Sequence, residues 1–375
     1  MALSRINANS ITDDSITVDQ IADTAVHGRR NLIINGAMQV AQRSSSTQVV
    51  GASAAFVCDR FECAVQSDAT VTFSQDSTVP SGQGFTKSTK IVVNTADSSL
   101  SAAQHNLFQT KIEGNVGQHL MWGTSDAKSC TVSFWIRSSL TGSFTYYAID
   151  GNANSQCYVA PFTISTADTW EKKTITIPGP TTGGTTDFPQ GTSRMLYTGF
   201  NLGVGSNHQT STVNSWHDPS GAWASTRSSD VQLVATANAT MYITGWQMEV
   251  GDATPFEHRS FGEELALCQR YFQRLQDPTL RGVFTGVTNG GASRLAIPTY
   301  TKFRANPAIS MSGTFSFWNG GDVYTGSASS GTFVAPDGFE IDITINSASN
   351  TTKGMACASY TTNSTTKIID LDAEL

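Results

Sequence analysis

Between residues 31 and 259, apolar and polar positions alternate in short runs with a period of two. Val132, Phe134 and Ile136 alternate with Ser133, Trp135 and Arg137, so one face of that run is apolar and the other polar. Phe144, Tyr146 and Ala148 repeat the pattern, as do Ile175 with Ile177, and Val231 with Leu233 and Ala235. Met241, Ile243 and Gly245 close the block, and Gly- and Asn-rich turns such as Gly151-Asn152-Ala153-Asn154 separate the runs. No long helical pattern interrupts them, which disfavours a parallel βαβ architecture. The pattern predicts an antiparallel β-sandwich over 31–259.

At Ser260 the period changes. Ser260-Phe261-Gly262-Glu263 reads as a capping box, with the serine as N-cap and a glutamate three positions on. Phe261, Leu265, Cys268, Phe272 and Leu275 follow at four-three-four-three spacing, and Asp277-Pro278 ends the run. One connecting helix over 260–277 is therefore expected, with an apolar seam that suits a sheet or a symmetry mate equally. Beyond it the β pattern returns, predicting a small β domain over 278–375. Phe339, Ile341, Ile343 and Ile345 form one alternating face. In the last run Ile369, Leu371, Ala373 and Leu375 share a face opposite Asp370, Asp372 and Glu374. That strand should be built into a sheet, its carboxylates discouraging edge-to-edge pairing.

Residues 1–30 follow another rule. Ile6, Ile11, Ile16, Ile21 and Val26 recur every five residues among Asn, Ser, Thr, Asp and Gln. One apolar residue in five cannot build a core within one chain. Three parallel chains can bury these residues on a common axis, as stacked repeats do, so a trimeric shaft or docking arm is expected; the alternative is an unfolded polar arm.

Composition narrows the class. Only 14% of the 375 residues are charged, against roughly a quarter in ordinary domains, which suits sheets joined by polar turns. The net charge of −7 and the lack of a basic run argue against a nucleic-acid partner. No stretch is apolar enough to insert in a membrane, and Met1-Ala2-Leu3-Ser4-Arg5 opens no secretory signal, so synthesis in a cytoplasm is expected. The six cysteines show neither a CxxC pair nor zinc spacing and read as buried free thiols.

Several stretches resemble a known family. Asn31-Leu32-Ile33-Ile34-Asn35-Gly36-Ala37-Met38-Gln39-Val40-Ala41-Gln42-Arg43 with Asp59-Arg60-Phe61 is similar to the opening of a domain in tail-fibre proteins of tailed phages. Gly245-Trp246-Gln247-Met248-Glu249-Val250-Gly251, Thr254-Pro255-Phe256-Glu257 and Glu263-Glu264-Leu265-Ala266-Leu267-Cys268-Gln269-Arg270-Tyr271-Phe272 resemble the same family more closely, as does the ending Asp372-Ala373-Glu374-Leu375. The resemblance implies a jelly roll related to carbohydrate-binding modules, assembly as a homotrimer, one end fixed to other tail proteins of the virion and the other meeting the host. Ala37-Met38 stands where the family carries an acidic and an aromatic residue, in a region that can help hold a structural calcium in related carbohydrate-binding modules; the resemblance leaves that ion open, and no metal ligand or cofactor is otherwise expected.

Chemical motifs are sparse. Gly203-Val204-Gly205 is a lone fragment, and HExxH and GxSxG motifs are absent. Asp150, Asp168, Glu171, Asp218 and Asp230 identify no pair of the kind that cleaves glycans, so an enzyme is not expected. The segment 203–229 is the candidate recognition loop: Asn214, Trp216, His217 and Trp223 are the residue types that stack on sugar rings and bond hydroxyls, although both indoles can equally anchor the loop. Glu249, Glu257 and Arg259 are expected to form a structural hydrogen-bond set, and Arg270 and Arg274 to pair with acids. The function expected is a non-catalytic tail-fibre subunit that attaches to a host polysaccharide or lipopolysaccharide. A virion adaptor without host contact, or a glycan depolymerase, are the alternatives.

Overall fold

The computed structural model describes residues 29–51, 53–151, 156–219, 223–276, 301–312 and 368–375 with their side chains, and between 285 and 360 the backbone of six further strands. The pentad residues Ile6, Ile11, Ile16, Ile21 and Val26, and also Phe339, lie outside the described residues.

Thirteen strands build the first unit: β1 (Ser46–Val50), β2 (Ser53–Phe56), β3 (Phe61–Val65), β4 (Thr70–Asp76), β5 (Ser88–Thr95), β6 (His105–Glu113), β7 (Cys130–Ser138), β8 (Gly142–Asp150), β9 (Cys157–Ile164), β10 (Glu171–Ile177), β11 (Arg194–Val204), β12 (Trp216–His217) and β13 (Thr240–Val250). They form a six-stranded sheet, β1-β4-β5-β13-β7-β10, and a seven-stranded sheet, β12-β9-β8-β11-β6-β3-β2, antiparallel throughout. The chain crosses repeatedly from one sheet to the other, which is the connectivity of a jelly roll. Alternation fixes the faces: Val132, Phe134 and Ile136 of β7 are fully buried, and Phe144, Tyr146 and Ala148 of β8 meet them from the opposite sheet. Phe134 lies 4.8 Å from Phe200, and Phe200 lies 4.9 Å from Trp246, so aromatic rings fill the middle of the sandwich. Cys58, Cys63, Cys130, Cys157 and Cys268 are buried and free, and burial raises each thiol above its ordinary pKa.

Two expected elements differ. Val231, Leu233 and Ala235 do not form a strand: Leu233–Ala235 is a single 3-10 turn, in contact with both β5 and β11. Leu233 and Val234 are both buried, which a strand facing one core cannot arrange for neighbours; a turn bridging the two sheets can. The connecting helix also ends early. It spans Phe261–Gln269, with the Ser260 hydroxyl accepting from the Glu263 amide as the capping box requires, but Phe261 is 55% exposed and not part of a buried seam. Phe272 and Leu275 belong instead to β14 (Phe272–Gln276).

The C-terminal part divides in two. Strands β15 (Thr285–Thr288), β16 (Ala292–Leu295), β18 (Thr314–Trp318), β19 (Val323–Phe333), β20 (Ile341–Ser347) and β21 (Ala356–Tyr360) close a barrel in the order β15-β16-β20-β19-β18-β21. Separately, β17 (Ala308–Ser312) and β14 flank β22 (Ile368–Asp372) in a three-stranded sheet. The last strand is therefore central, not an edge, and its carboxylates do not guard an edge. Asp370 pairs with Arg274 at 2.7 Å, Asp372 with Arg43 at 3.0 Å, and Glu374 with Arg60. Ile369, Leu371 and Ala373 are buried on the other face, as their alternation predicts. Among the described residues no helix is long and apolar enough to cross a membrane.

Candidate functional site

The structure separates the residues expected to bind glycan. Trp216 pairs in register with Tyr158, whose side chain faces the core. Its indole packs 5.3 Å from Trp122, 5.6 Å from Tyr158 and 5.7 Å from Phe188, and its Nε1 donates to the Pro178 carbonyl at 2.7 Å. His217 is opposite Cys157, on the other face of the same sheet, and Asn214 is exposed in a left-handed turn with φ 56°. Trp223 packs over the outer face of the seven-stranded sheet against a cluster that includes Leu107 and Tyr147. His208 stacks on it at 3.9 Å, with Nδ1 3.0 Å from the Trp223 carbonyl oxygen and Nε2 3.3 Å from that of Ala103. The two tryptophans hold the loop onto opposite faces of a sheet. They do not form one recognition surface.

Asp230 closes that loop. Its carboxylate, 5% exposed, accepts from the Thr145 and Thr226 hydroxyls, the Arg227 amide and the Arg227 guanidinium. Burial opposes the charge, but bonds from the Arg227 side chain, the Thr145 hydroxyl and the Arg227 amide together outweigh it. They pull the pKa from 3.8 to about 2. A depressed carboxylate stabilises the fold fully above its unfolded pKa, and that contribution is lost as pH falls through the folded one. Asp230→Asn should cost on the order of 2 kcal/mol at neutral pH. In denaturant melts the gap to the native chain should shrink as pH drops toward 2; an equal gap at both pH values would show the charge is not what holds the loop.

A different site is built on the outer face of the six-stranded sheet. Its origin is a break in β13, where the pairing with β7 shifts register between Thr244 and Gln247. Gly245 sits there with φ +61°, and a Cβ on it would come within 2.5 Å of the Phe85 ring. Bulges of this kind bend a strand and open room beside it. Phe85 fills the space above Gly245 and supports two more rings: Phe256 at 5.0 Å and His258 at 5.1 Å, themselves 4.9 Å apart.

The segment that carries Phe256 and His258 is held from beneath. Glu249 accepts from the Thr254 amide at 2.8 Å, Gln247 Oε1 from the Glu257 amide at 2.8 Å, and Glu257 Oε2 from the amides of Arg30 and Asn31 at 2.9 and 2.7 Å. Arg259 completes the set by donating to the Asn31 carbonyl and pairing with Glu264 at 3.3 Å. These residues act structurally, as the sequence suggested. On the far side, Trp135 of β7 and Lys172 of β10 stand in register. Because Phe134 and Ile136 point inward, Trp135 points out. The result is a cleft of about 440 Å³ whose lining includes Phe85, Trp135, Phe256, Gln83, Lys172 and His258. Partial burial holds the His258 imidazole below its ordinary pKa, against the opposing effect of a hydrogen bond to the Gln83 backbone.

Sequence reasoning did not single out this cleft. The available signal was Trp135, a large indole on the solvent side of an otherwise regular alternation, between Ser133 and Arg137. Phe256 and His258 lie within or beside the most family-like block, yet nothing local places them near residue 85 or 172.

No family model matches the chain, and no curated protein matches it. Solved structures overlap part of the chain. The enzymatically active domain of tailspike protein 4 from bacteriophage CBA120 is 13% identical, over 59% of this chain and 21% of that one, with a TM-score of 0.31. A CBM4 module is 14% identical over 58% of this chain and 98% of its own, with a TM-score of 0.29. The CBM22-1 xylan-binding domain from Paenibacillus barcinonensis Xyn10C is 10% identical over 61% and 100%, with a TM-score of 0.29. The strand order, and not these overlaps, defines the fold.

Proposed function

We propose that this chain is a non-catalytic attachment subunit of the tail-fibre kind, a homotrimer that holds a host surface glycan in the cleft beside Trp135. The observation that carries the glycan reading is the cleft itself: three aromatic rings line it, with an amide, an ammonium and an imidazole beside them. Pyranose rings present C–H faces that match Trp135 and Phe256, while polar side chains take their hydroxyls. Among the described residues the lining holds no carboxylate, so the reading of a binding cleft is preferred to the two-carboxylate chemistry of glycan cleavage. The virion and trimer parts of the proposal rest on the resemblance and on the pentads of residues 1–30.

An array of bacterial surface polysaccharides probed with the full chain tests the reading. Trp135→Ala and Phe256→Ala should each weaken binding several-fold, since a stacking ring contributes about 1 kcal/mol. Trimeric avidity should make the loss on whole cells steeper. Trp135→Ala that melts normally and binds every polysaccharide as before would overturn the site. Failure to bind any surface glycan, with failed virion assembly when the chain is removed, would favour the adaptor; released oligosaccharides would favour a depolymerase.

A further inference from the structure

We infer that the apolar stripe of the connecting helix, Phe261 with Leu265, is a contact between copies of this chain, closed around the threefold axis at the base of the arm. The inference rests on the homotrimer proposed above and adds to the pentads a contact made by the folded domains. A single exposed apolar residue is ordinary on a protein surface. Phe261 differs in what surrounds it. At 55% it is the most exposed large hydrophobic residue among the described ones. Leu265 follows it at one helical turn and is only partly buried, packed against the cluster of Ile34, Val40, Cys268 and Tyr271. Gln269 continues the same side a turn later. The two acids of the helix lie off this stripe and are already partnered: Glu263 with Arg29 at 3.0 Å, Glu264 with Arg259 at 3.3 Å. What remains is a ring and an aliphatic side chain with no charge between them, the composition of an interface core.

The occupant follows from where the arm reaches the domain. Arg29, the first described residue, is held by Glu263 in the first turn of the helix. The amides of Arg30 and Asn31 donate to Glu257 at 2.9 and 2.7 Å, and Arg259 donates to the Asn31 carbonyl. The chain therefore enters along segment 257–263, which also carries Phe261. Val26, the last pentad residue, is three positions before Arg29, a span of at most about 11 Å. A shaft with Val26 on its axis thus stands beside this helix in every copy, not at the outer rim of the trimer. Rotation about that axis brings three copies of the stripe to the same place, where Phe261 and Leu265 leave water against their counterparts. Pairing with Arg29 offsets the charge of Glu263, so three glutamates near the axis do not oppose the contact.

The test is the assembly state of the full chain, read by light scattering over a dilution series. The parent chain should be a trimer. Phe261→Glu should raise the concentration at which it dissociates by about tenfold or more, since it loses apolar burial and sets like charges together. Phe261→Leu should keep most of the contact. Because Phe261 is exposed in the single chain, Phe261→Glu should leave the circular dichroism of the sheets unchanged, which separates assembly from folding. Phe261→Cys should be joined between chains by a short bis-maleimide, whereas Ser99→Cys, on an exposed bend of the sandwich, should not. A trimer whose dissociation ignores Phe261→Glu, and whose Phe261→Cys yields no linked chains, would overturn this contact and leave the homotrimer standing. A parent chain that is monomeric throughout the series would overturn both.

Discussion

Glu374→Ala should lower the melting temperature by on the order of 10 °C. The reason is Arg60, which is 3% exposed. Its guanidinium is bonded to Glu374, donates to the Lys111 carbonyl at 2.7 Å and lies 3.5 Å from the centre of the Tyr271 ring. Arg43 adds a second contact to Glu374 at 3.5 Å and reaches Asp372 at 3.0 Å. Removing the carboxylate leaves a buried cation without its partner, which costs about 3–5 kcal/mol, far more than a surface pair is worth. Pairing Glu374→Ala with Arg60→Met should restore most of the loss, because the buried charge leaves with its partner. Thermal melts of the two single variants and the double variant measure the coupling. If Glu374→Ala melts like the parent chain, the last strand does not dock on the sandwich.

That docking explains why the sandwich was legible in the sequence and the junction was not. In β7 and β8 each core residue announces itself by alternation, and the rule needs no knowledge of partners. Residues 272–276 have no such independence. Leu275 pairs with Ile369 and Phe272 with Asp372, about a hundred residues away, and that ladder ends the helix at Gln269 although the local spacing would continue it. The separation of the loop's two tryptophans was hidden for a related reason. Residue type made Trp216 and Trp223 attractive, but a face is assigned by register, and pairing with Tyr158 turns Trp216 inward. The cleft gathers positions 83–85, 133–135, 172 and 245–258 from four separate segments, a juxtaposition that only the strand order of the six-stranded sheet creates.

Gly36→Ala is expected to be comparably damaging, and it tests how the family-like opening is joined to the cleft. A Cβ at Gly36 would lie 2.0 Å from the Trp246 carbonyl oxygen, and backbone cannot yield as a side-chain tip can. The approach is fixed from both sides. The Trp246 amide donates to the Gly36 carbonyl at 3.0 Å, and Asn31 Nδ2 donates to the Trp246 carbonyl at 3.1 Å. Met248 is tied in as well, its amide donating to Asn31 Oδ1 at 3.0 Å and its carbonyl accepting from Leu32. Segment 31–38 therefore rests on β13 beside the bulge at Gly245 that opens the cleft. Forcing the two apart should cost about 3 kcal/mol, as overpacking a close contact does, and should also disturb Phe85 above Gly245. Glycan binding should fall together with stability. Gly262→Ala is the control: nothing lies within 4 Å of its added methyl, and in a helix alanine should be neutral or gain up to about 1 kcal/mol. Melting and polysaccharide binding of the two variants measure the contrast. A Gly36→Ala chain that matches Gly262→Ala in both would show that the opening segment is not seated on β13 and does not support the cleft.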